Sequence, residues 1–300
     1  MFLLAHLSDP HLGSLPRPRL SELANKRAIG FLNWHRGRHS LHREEVLAAL
    51  IADMKSFAPD HITVTGDLIN ISLEGEYAPA RAWLRALGTP ANVTVVPGNH
   101  DAYVGAMASH SSRHWGEFMS NDAVQALVGQ EISYPFVRRR GPIALVGLSS
   151  AVPTRPFMAT GQLGHDQRDR LASTLAKLKQ EGLYRVVLIH HPPMSSPRHY
   201  WRRLVDGPEF RKVLAEHGAE LVLHGHDHVH SLVGLNGPQG RIPAIGVPSA
   251  SSPPTGRQVP AAYYLYRIEG VPGAWRCEVI SRGFRSSAEG IVELARQTVS

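Results

Sequence analysis

Five short clusters of metal-seeking residues are spread over most of this chain. They are Asp9-Pro10-His11, Gly66-Asp67, Gly98-Asn99-His100-Asp101, His190-His191 and Gly225-His226-Asp227-His228. Imidazole suits Zn, Fe and Ni, and carboxylate oxygen suits Mg and Mn, so a mixed His, Asp and Asn set points to Mn, Fe or Zn. The groups are too many for one ion and match two divalent metal ions that share a carboxylate. Such a pair, about 3.5–4 Å apart, binds a phosphoryl oxygen and makes a water nucleophilic at neutral pH. Charge agrees with this use. Two divalent cations offset by Asp9, Asp67 and a hydroxide leave about one net positive charge, which attracts an anionic phosphoester.

Each cluster follows an apolar run. Phe2-Leu3-Leu4-Ala5 leads to Asp9, His61-Ile62-Thr63-Val64-Thr65 to Gly66, and Val93-Thr94-Val95-Val96 to Pro97-Gly98. Arg185-Val186-Val187-Leu188-Ile189 leads to His190, and Leu221-Val222-Leu223 to Gly225. Runs of this kind, closed by Gly or Pro, read as strands buried on both faces. The glycines before Asp67, Asn99 and His226 are expected to permit tight turns. Pro10 is expected in an extended stretch, its side chain pointing away from those of its neighbours.

Between the runs, Val46, Leu47, Leu50, Ile51, Met54 and Phe57 recur at helical spacing before Pro59. Other helices are expected from about Glu76 to Leu87, from Asp166 to Gly182, and between Pro208 and Gly218. This alternation predicts an α/β domain with a largely parallel sheet, whose strand ends gather the clusters in one cleft. Residues 132–139 and 143–148 read as adjacent strands. Val229 to Phe284 reads as several more without a helix, which implies a second sheet stacked on the first. No internal repeat or linker appears, so one domain is expected over residues 1–300. Within it, residues 14–45 form a cap insertion, and the segment from 286 to 300 forms a tail that is a short helix, a dimer element or a loose end.

The apolar and charged fractions, 43% and 19%, are those of an ordinary globular protein. No stretch approaches the roughly 20 apolar residues of a membrane span. The N-terminus lacks a basic leader, and Cys277 as the one cysteine excludes an internal disulfide or a thiolate metal cluster, so the cytoplasm is the expected setting. The net charge of +7 favours an anionic partner.

Taken in order, Asp-x-His, Gly-Asp, Gly-Asn-His-Asp, His and Gly-His-x-His resemble the motifs of the calcineurin-like metallophosphoesterases, over Ser8 to His228. The compact chain is similar to the bacterial cyclic-nucleotide phosphodiesterase branch. The resemblance implies a four-layer αββα sandwich, two mixed β-sheets flanked by helices, with the metal site at the carboxyl ends of strands. It implies one ion on Asp9, His11, Asp67 and His228 and a second on Asp67, Asn99, His190 and His226, with Asp67 bridging. His100 is similar to the family's catalytic histidine, near the leaving-group oxygen, and Asp101 would orient its imidazole. The activity implied is hydrolysis of a nucleotide-type phosphodiester, a cyclic nucleotide above others, by water activated between the metals. Pro10 departs from the pattern, since many relatives carry a polar residue there.

Asn70, His191, Arg198, Tyr200 and Trp201 are candidate substrate contacts, each with a plainer alternative. Asn70 fits a loop cap equally, and His191, like His224, fits a support for its neighbours. Tyr200 and Trp201, set between arginines, could stack on a nucleobase or plug the core. His6, His61 and His230 read as satisfied strand residues. In residues 14–45, Arg17, Arg19, Lys26, Arg27, Arg36, Arg38 and Arg43 outnumber Glu22, Glu44 and Glu45, with Trp34 and His35 among them. That segment reads as a cap touching an anionic or aromatic substrate or a membrane surface, or as a solvated face. The partner expected is a small anionic phosphoester; nucleic acid is disfavoured because no further partner-binding domain is evident. The alternatives are a phosphomonoesterase or nucleotide-linked lipid pyrophosphatase of the same family, and a non-catalytic scaffold on the same fold. The intact histidines speak against the scaffold. No feature favours a particular oligomeric state.

Overall fold

The computed structural model describes residues 1–13, 15–107, 109–122, 132–195, 197–255 and 258–299. In chain order the strands are β1 (Phe2–Leu7), β2 (His61–Val64), β3 (Val93–Val95), β4 (Phe136–Arg140), β5 (Ile143–Gly147) and β6 (Tyr184–Leu188). After them come β7 (Leu221–His224), β8 (Ser231–Gly237), β9 (Gly240–Gly246), β10 (Ala262–Val271), β11 (Ala274–Ser286) and β12 (Gly290–Thr298). The helices are α1 (Arg27–His35), α2 (Glu44–Ser56), α3 (Glu74–Leu87), α4 (His110–Trp115), α5 (His165–Gln180) and α6 (Gly207–His217).

Two six-stranded sheets result, in the orders β12-β11-β10-β1-β2-β3 and β4-β5-β6-β7-β9-β8. Both are mixed. In the first, β1, β2 and β3 run parallel while β10, β11 and β12 add antiparallel neighbours. In the second, the parallel set β5, β6, β7 and β9 is closed at both edges by antiparallel β4 and β8. The second sheet exists as expected, but the strands after Val229 do not build it alone. β8 and β9 complete it, whereas β10 to β12 extend the first sheet.

The apolar runs have no polar face because both of their faces are covered. Leu145, Val186, Leu188, Leu221, Leu223 and Ile245 pack in one core with Leu4, Val64, Val95 and Leu265 of the first sheet. Their alternating neighbours Ala144, Val146, Val187 and Val222 pack against Leu171, Leu175 and Leu178 of α5 and Phe210 and Leu214 of α6. This is the two-residue period of a strand sandwiched between layers. Each such aliphatic side chain contributes about 1.5–3 kcal/mol by leaving water. On the first sheet's side, α2 contributes Leu47, Leu50 and Met54, and α3 contributes Tyr77, Ala80 and Leu84. The helices start and stop for local reasons: Glu44 and Glu45 open α2, Pro208 lies in the first turn of α6, and Lys177 and Lys179 close α5, each suiting the helix dipole or the free N–H groups.

One segment differs from expectation. The C-terminal stretch is neither a helix nor a loose end: β12 pairs with β11 along most of its length. The segment expected as a cap is framed by α1 and by 3-10 turns at Leu20–Leu23 and Arg38–Leu41. Among the described residues no helix is long and apolar enough to cross a membrane.

Candidate metal centre

The five clusters meet at the seam between the two sheets and not along the edge of one. The carboxyl ends of β1, β2 and β3 lead to Asp9, Asp67 and Asn99, and those of β6 and β7 lead to His190 and His226. Hydrogen bonds close the seam: His190 Nδ1 donates to the Thr65 carbonyl at 2.6 Å, and the His226 N–H to Asp9 Oδ2 at 3.0 Å. Asp9, His11, Asp67, His226 and His228 all have positive φ, at 52°, 43°, 54°, 70° and 55°. Residues with a Cβ pay about 1–2 kcal/mol to sit there, so the strain lies on the residues that carry the polar side chains. Residues 9–11 are therefore not the extended stretch expected around Pro10. Of the three glycines singled out, Gly66 uses its conformational freedom, with φ 98°. A Cβ on Gly225 would strike Ser8 and Asp9 Oδ2, so that glycine serves close approach.

Asp67 Oδ2 lies at the middle of the group, 3.3 Å from His190 Nε2, 3.9 Å from His11 Nε2 and 4.0 Å from His100 Nε2. The backbone N–H of His100 holds its other oxygen at 2.7 Å. Asp9 Oδ1 is 3.0 Å from His228 Nε2. Asn99 Oδ1 and His226 Nδ1 are each 3.2 Å from His190 Nε2. Ligand-capable atoms fall within 4.8 Å of one another in three sets: Asp9, His11 and His228; His11, Asp67 and His100; and Asp67, His190 and His226. Backbone carbonyls fix the ring orientations from behind. His11 Nδ1 faces Ile69 O at 3.2 Å, and His226 Nε2 faces Arg202 O at 2.9 Å, leaving the opposite nitrogens aimed inward.

His100 Nδ1 donates to the Asn70 carbonyl, and its Nε2 accepts from Arg38 Nη2 at 2.9 Å. Asp101 does not orient this imidazole, contrary to the sequence reading. Its Oδ2 accepts from the Asp67 and Gly98 N–H groups at 2.9 and 2.8 Å, and its Oδ1 from those of Leu68 and Ile69 at 3.0 and 3.2 Å. It braces the backbone turn that presents Asp67, and the Asn70 carbonyl takes the part assigned to it. The Asn70 side chain is buried and donates to Leu12 O at 3.2 Å, so it ties two loops together and does not face the cleft.

A cleft of about 500 Å³ opens over this group, its floor including Asp67, Asn99, His100, His226 and His228. Arg36, Arg38 and His42 of the cap segment form one wall, and Ala159 and Arg202 the other. His191 is buried, 2.7 Å from Ser150 Oγ and 3.1 Å from Ala159 O, a support and not a substrate contact. Tyr200 and Trp201 are 52% and 59% exposed, so they do not plug the core, and neither lines the cleft. Arg203 stacks 3.7 Å from the Tyr200 ring. The Arg198 side chain lies outside the described residues. His6 and His230 are satisfied by Thr65 Oγ1 and the Tyr264 hydroxyl, each at 2.8 Å. His61 reaches Thr94 Oγ1 at 2.7 Å with one nitrogen, and the other has no partner among the described residues. Sequence reasoning missed His42, whose ring lies 4.3 Å from that of His11. It named Arg38 only as one of the cap segment's basic residues, and Arg202 only as one of the arginines around Tyr200 and Trp201.

The family model for calcineurin-like phosphoesterases matches residues 2–230. The chain belongs to this family. As a phosphoesterase it is 28% identical over 237 residues to a probable cyclic nucleotide phosphodiesterase of Synechococcus sp., a match covering 77% of this chain and 80% of that one. It is also 32% identical over 101 residues to a glycerophosphodiester phosphodiesterase of Enterobacter lignolyticus, covering 33% of this chain and 29% of the relative. A dimetal phosphatase from Danio rerio has the same fold, with a TM-score of 0.60 at 13% identity, over 100% of this chain and 98% of the other.

Enzymes of this family depend on a dinuclear metal centre, and the donor set of this phosphoesterase fits one. His190 Nε2 has three neighbours with lone pairs, Asp67 Oδ2, Asn99 Oδ1 and His226 Nδ1, at 3.2–3.3 Å, and a single N–H satisfies one of them. The buried His11 Nε2 has no hydrogen-bond partner among the described residues. Cations facing these lone pairs would satisfy the whole set. The electrostatics agree. Burial pulls His190 down, yet Asp67 outweighs it and the imidazole is raised to about 9. Burial likewise pushes Asp67 up, but His190 and His100 hold it well below the usual carboxylate range. Burial and then the charge of Asp67 push Asp101 up to about 8. Positive charge is therefore favoured on His190 beside Asp67, whereas burial holds His100 down to about 3 and His11 and His226 well below the usual imidazole range, so their inward nitrogens keep free lone pairs.

Proposed function

We propose that this phosphoesterase is a phosphodiesterase acting on a nucleotide-type phosphodiester, with a cyclic nucleotide the favoured substrate. The observation that carries the reading is the convergence of Asp67 Oδ2 with His11, His190 and His100 at the floor of a cleft walled by arginines. In this reading Asp9, His11, Asp67 and His228 hold one divalent cation. Asp67, Asn99, His190 and His226 hold the other, so Asp67 is shared. When bound, the pair supplies Lewis acidity to the phosphoryl oxygens and an activated water. Mn, Fe and Zn all suit the ligands.

The remaining work falls to the chain. The strained turns aim Asp9, Asp67 and His226 into the seam, and Asp101 keeps the middle turn rigid. His100 stands where its Nε2 can reach the leaving-group oxygen, its Nδ1–H committed to the Asn70 carbonyl; a proton taken up at Nε2 can pass to the departing alkoxide. The cleft is of the size that small ligands occupy, which favours a nucleotide over a polymer. The long match to a probable cyclic nucleotide phosphodiesterase supports the same choice. The proposed setting is the cytoplasm, supported by the lone, buried Cys277.

A substrate panel on protein reconstituted separately with Mn, Fe or Zn tests this. Cyclic AMP and a chromogenic diester should be hydrolysed with a kcat/KM at least about tenfold above that for a chromogenic monoester, a difference of roughly 1.4 kcal/mol. A preference for the monoester, or for a pyrophosphate-linked lipid, would overturn the diester reading. Absence of all turnover, with a partner interaction that survives His100→Ala, would instead favour a scaffold.

A further inference from the structure

The cap segment delivers into the cleft a cation whose counter-ion the chain does not supply. Arg38 opens the 3-10 turn Arg38–Leu41, and its guanidinium donates to His100 Nε2 at 2.9 Å. Among the described residues no carboxylate lies within ion-pair distance of it. Asp67 and Asp9 act on it only from further away, and both are committed to the metal centre proposed above. A guanidinium carries five donors in a planar fork made for the paired oxygens of a carboxylate or phosphate. A neutral imidazole nitrogen uses one of them. Taking such a charge out of water without an anion costs several kcal/mol, and two divalent cations nearby would raise that cost.

The position of Arg38 is built, not incidental. Arg27, buried at the start of α1, donates to the Ile71 and Ser72 carbonyls in the loop after β2. Lys26 donates to Thr154 Oγ1 at 3.1 Å and lies 4.1 Å over the Tyr103 ring, which itself stacks on His100 at 5.5 Å. The segment is thus fastened to both sides of the cleft, and fastening of this kind is what holds a side chain to a productive geometry.

We propose that Arg38 is a positioning residue for the phosphoryl group, a proposal that rests on the phosphodiesterase reading of the same site. On substrate entry its fork leaves His100 Nε2 and takes the non-bridging oxygens of the scissile phosphate. The same movement frees Nε2 to face the leaving-group oxygen. The anionic substrate thereby completes the site: it supplies the counter-ion and releases the histidine from its resting partner. A diester bears one negative charge and gains a second as hydroxide adds, so the interaction strengthens toward the transition state and should appear more in kcat than in KM.

The test uses Mn-loaded full-length protein with Arg38→Ala, Arg38→Lys and, as a control on the same segment, Arg17→Ala, whose side chain is exposed. Arg38→Ala should lose roughly 10²–10³-fold in kcat/KM for the diester, mostly in kcat, while keeping two metal ions per chain. Added guanidinium ion should restore part of that loss, Arg38→Lys should fall between, and Arg17→Ala should match the wild type. Inhibition by inorganic phosphate should weaken about tenfold or more in Arg38→Ala, as expected for loss of a charge-assisted bond. A change below about threefold in both kcat/KM and phosphate inhibition would overturn the proposal. So would loss of activity together with loss of metal and no rescue, which would mark Arg38 as a brace for the cap. If the wild type hydrolyses no phosphodiester, calorimetry with inorganic phosphate separates the two ideas. Weaker binding by Arg38→Ala would sustain the anion-holding role while the hydrolytic reading falls, and equal binding would sink both.

Discussion

Replacing Asp101 by Asn removes one of two oxygens that between them receive four backbone N–H groups, from Asp67, Gly98, Leu68 and Ile69. Whichever way the amide turns, its NH2 faces two buried N–H donors and leaves both without an acceptor. Each orphaned donor costs about 1–3 kcal/mol, so Asp101→Asn should lose roughly 4 kcal/mol. With an unfolding entropy of about 2.1 cal/mol/K per residue, that is a fall of about 6 °C in Tm for a chain of 300 residues. The measurement belongs at pH 8.5 on metal-free protein, above the raised value of about 8 for Asp101, where the wild-type carboxylate is charged. Metal content after reconstitution should fall in parallel, because the same turn presents Asp67. An unchanged Tm and full metal content, with turnover alone reduced, would refute this and return Asp101 to the part of a partner for the His100 imidazole.

Three further outcomes are expected. Gly225→Ala, whose new methyl group strikes Ser8 and Asp9, should lose about 1–3 kcal/mol and weaken metal retention on dialysis; equal metal content in variant and wild type would contradict the close approach. Acid should unfold the metal-free protein cooperatively. Burial holds His6 and His61 down to about 3 and His224 down to about 4, each below the unfolded value near 6.5. The unfolded chain therefore binds more protons, and the stability these groups confer is lost as pH falls below about 6.5, at roughly 1.4 kcal/mol per pH unit for each. Urea midpoints that stay flat between pH 6.5 and 5 would count against this. Finally, because His190 holds a proton up to about 9, metal uptake must displace it. Apparent affinity should weaken by up to about tenfold per pH unit as pH falls below 9, with proton release detectable by calorimetry in buffers of different ionisation heat; uptake without proton release would show that His190 is not displaced.

What could be read from the residues were features that follow from local pattern. The runs before Asp9, Asp67, Asn99, His190 and His226 could be assigned as strands because a strand covered on both faces must be apolar throughout. The metal-seeking set stood out because those residue types recur at strand ends. α5 and α6 were legible from helical spacing framed by Gly and Pro. The fate of the last residues was not, since β12 mixes apolar and polar residues with no fully buried position and is held by its ladder to β11, a partner that no local pattern names. The same holds within the site. Asp101 stands next to His100 in sequence, yet its carboxylate is spent on four N–H groups of other loops, and adjacency in the chain carries no information about that.

By itself, then, the sequence determined which strands are buried and which side chains can seek a metal, because burial period and ligand chemistry are properties of single segments. Only the tertiary structure decided that the five clusters meet across two sheets, that Arg38 reaches His100, and that Asp9, Asp67 and His226 adopt left-handed backbone. Those depend on contacts between residues far apart in the chain, and packing of the two sheets holds in place a local strain that no short segment would keep alone.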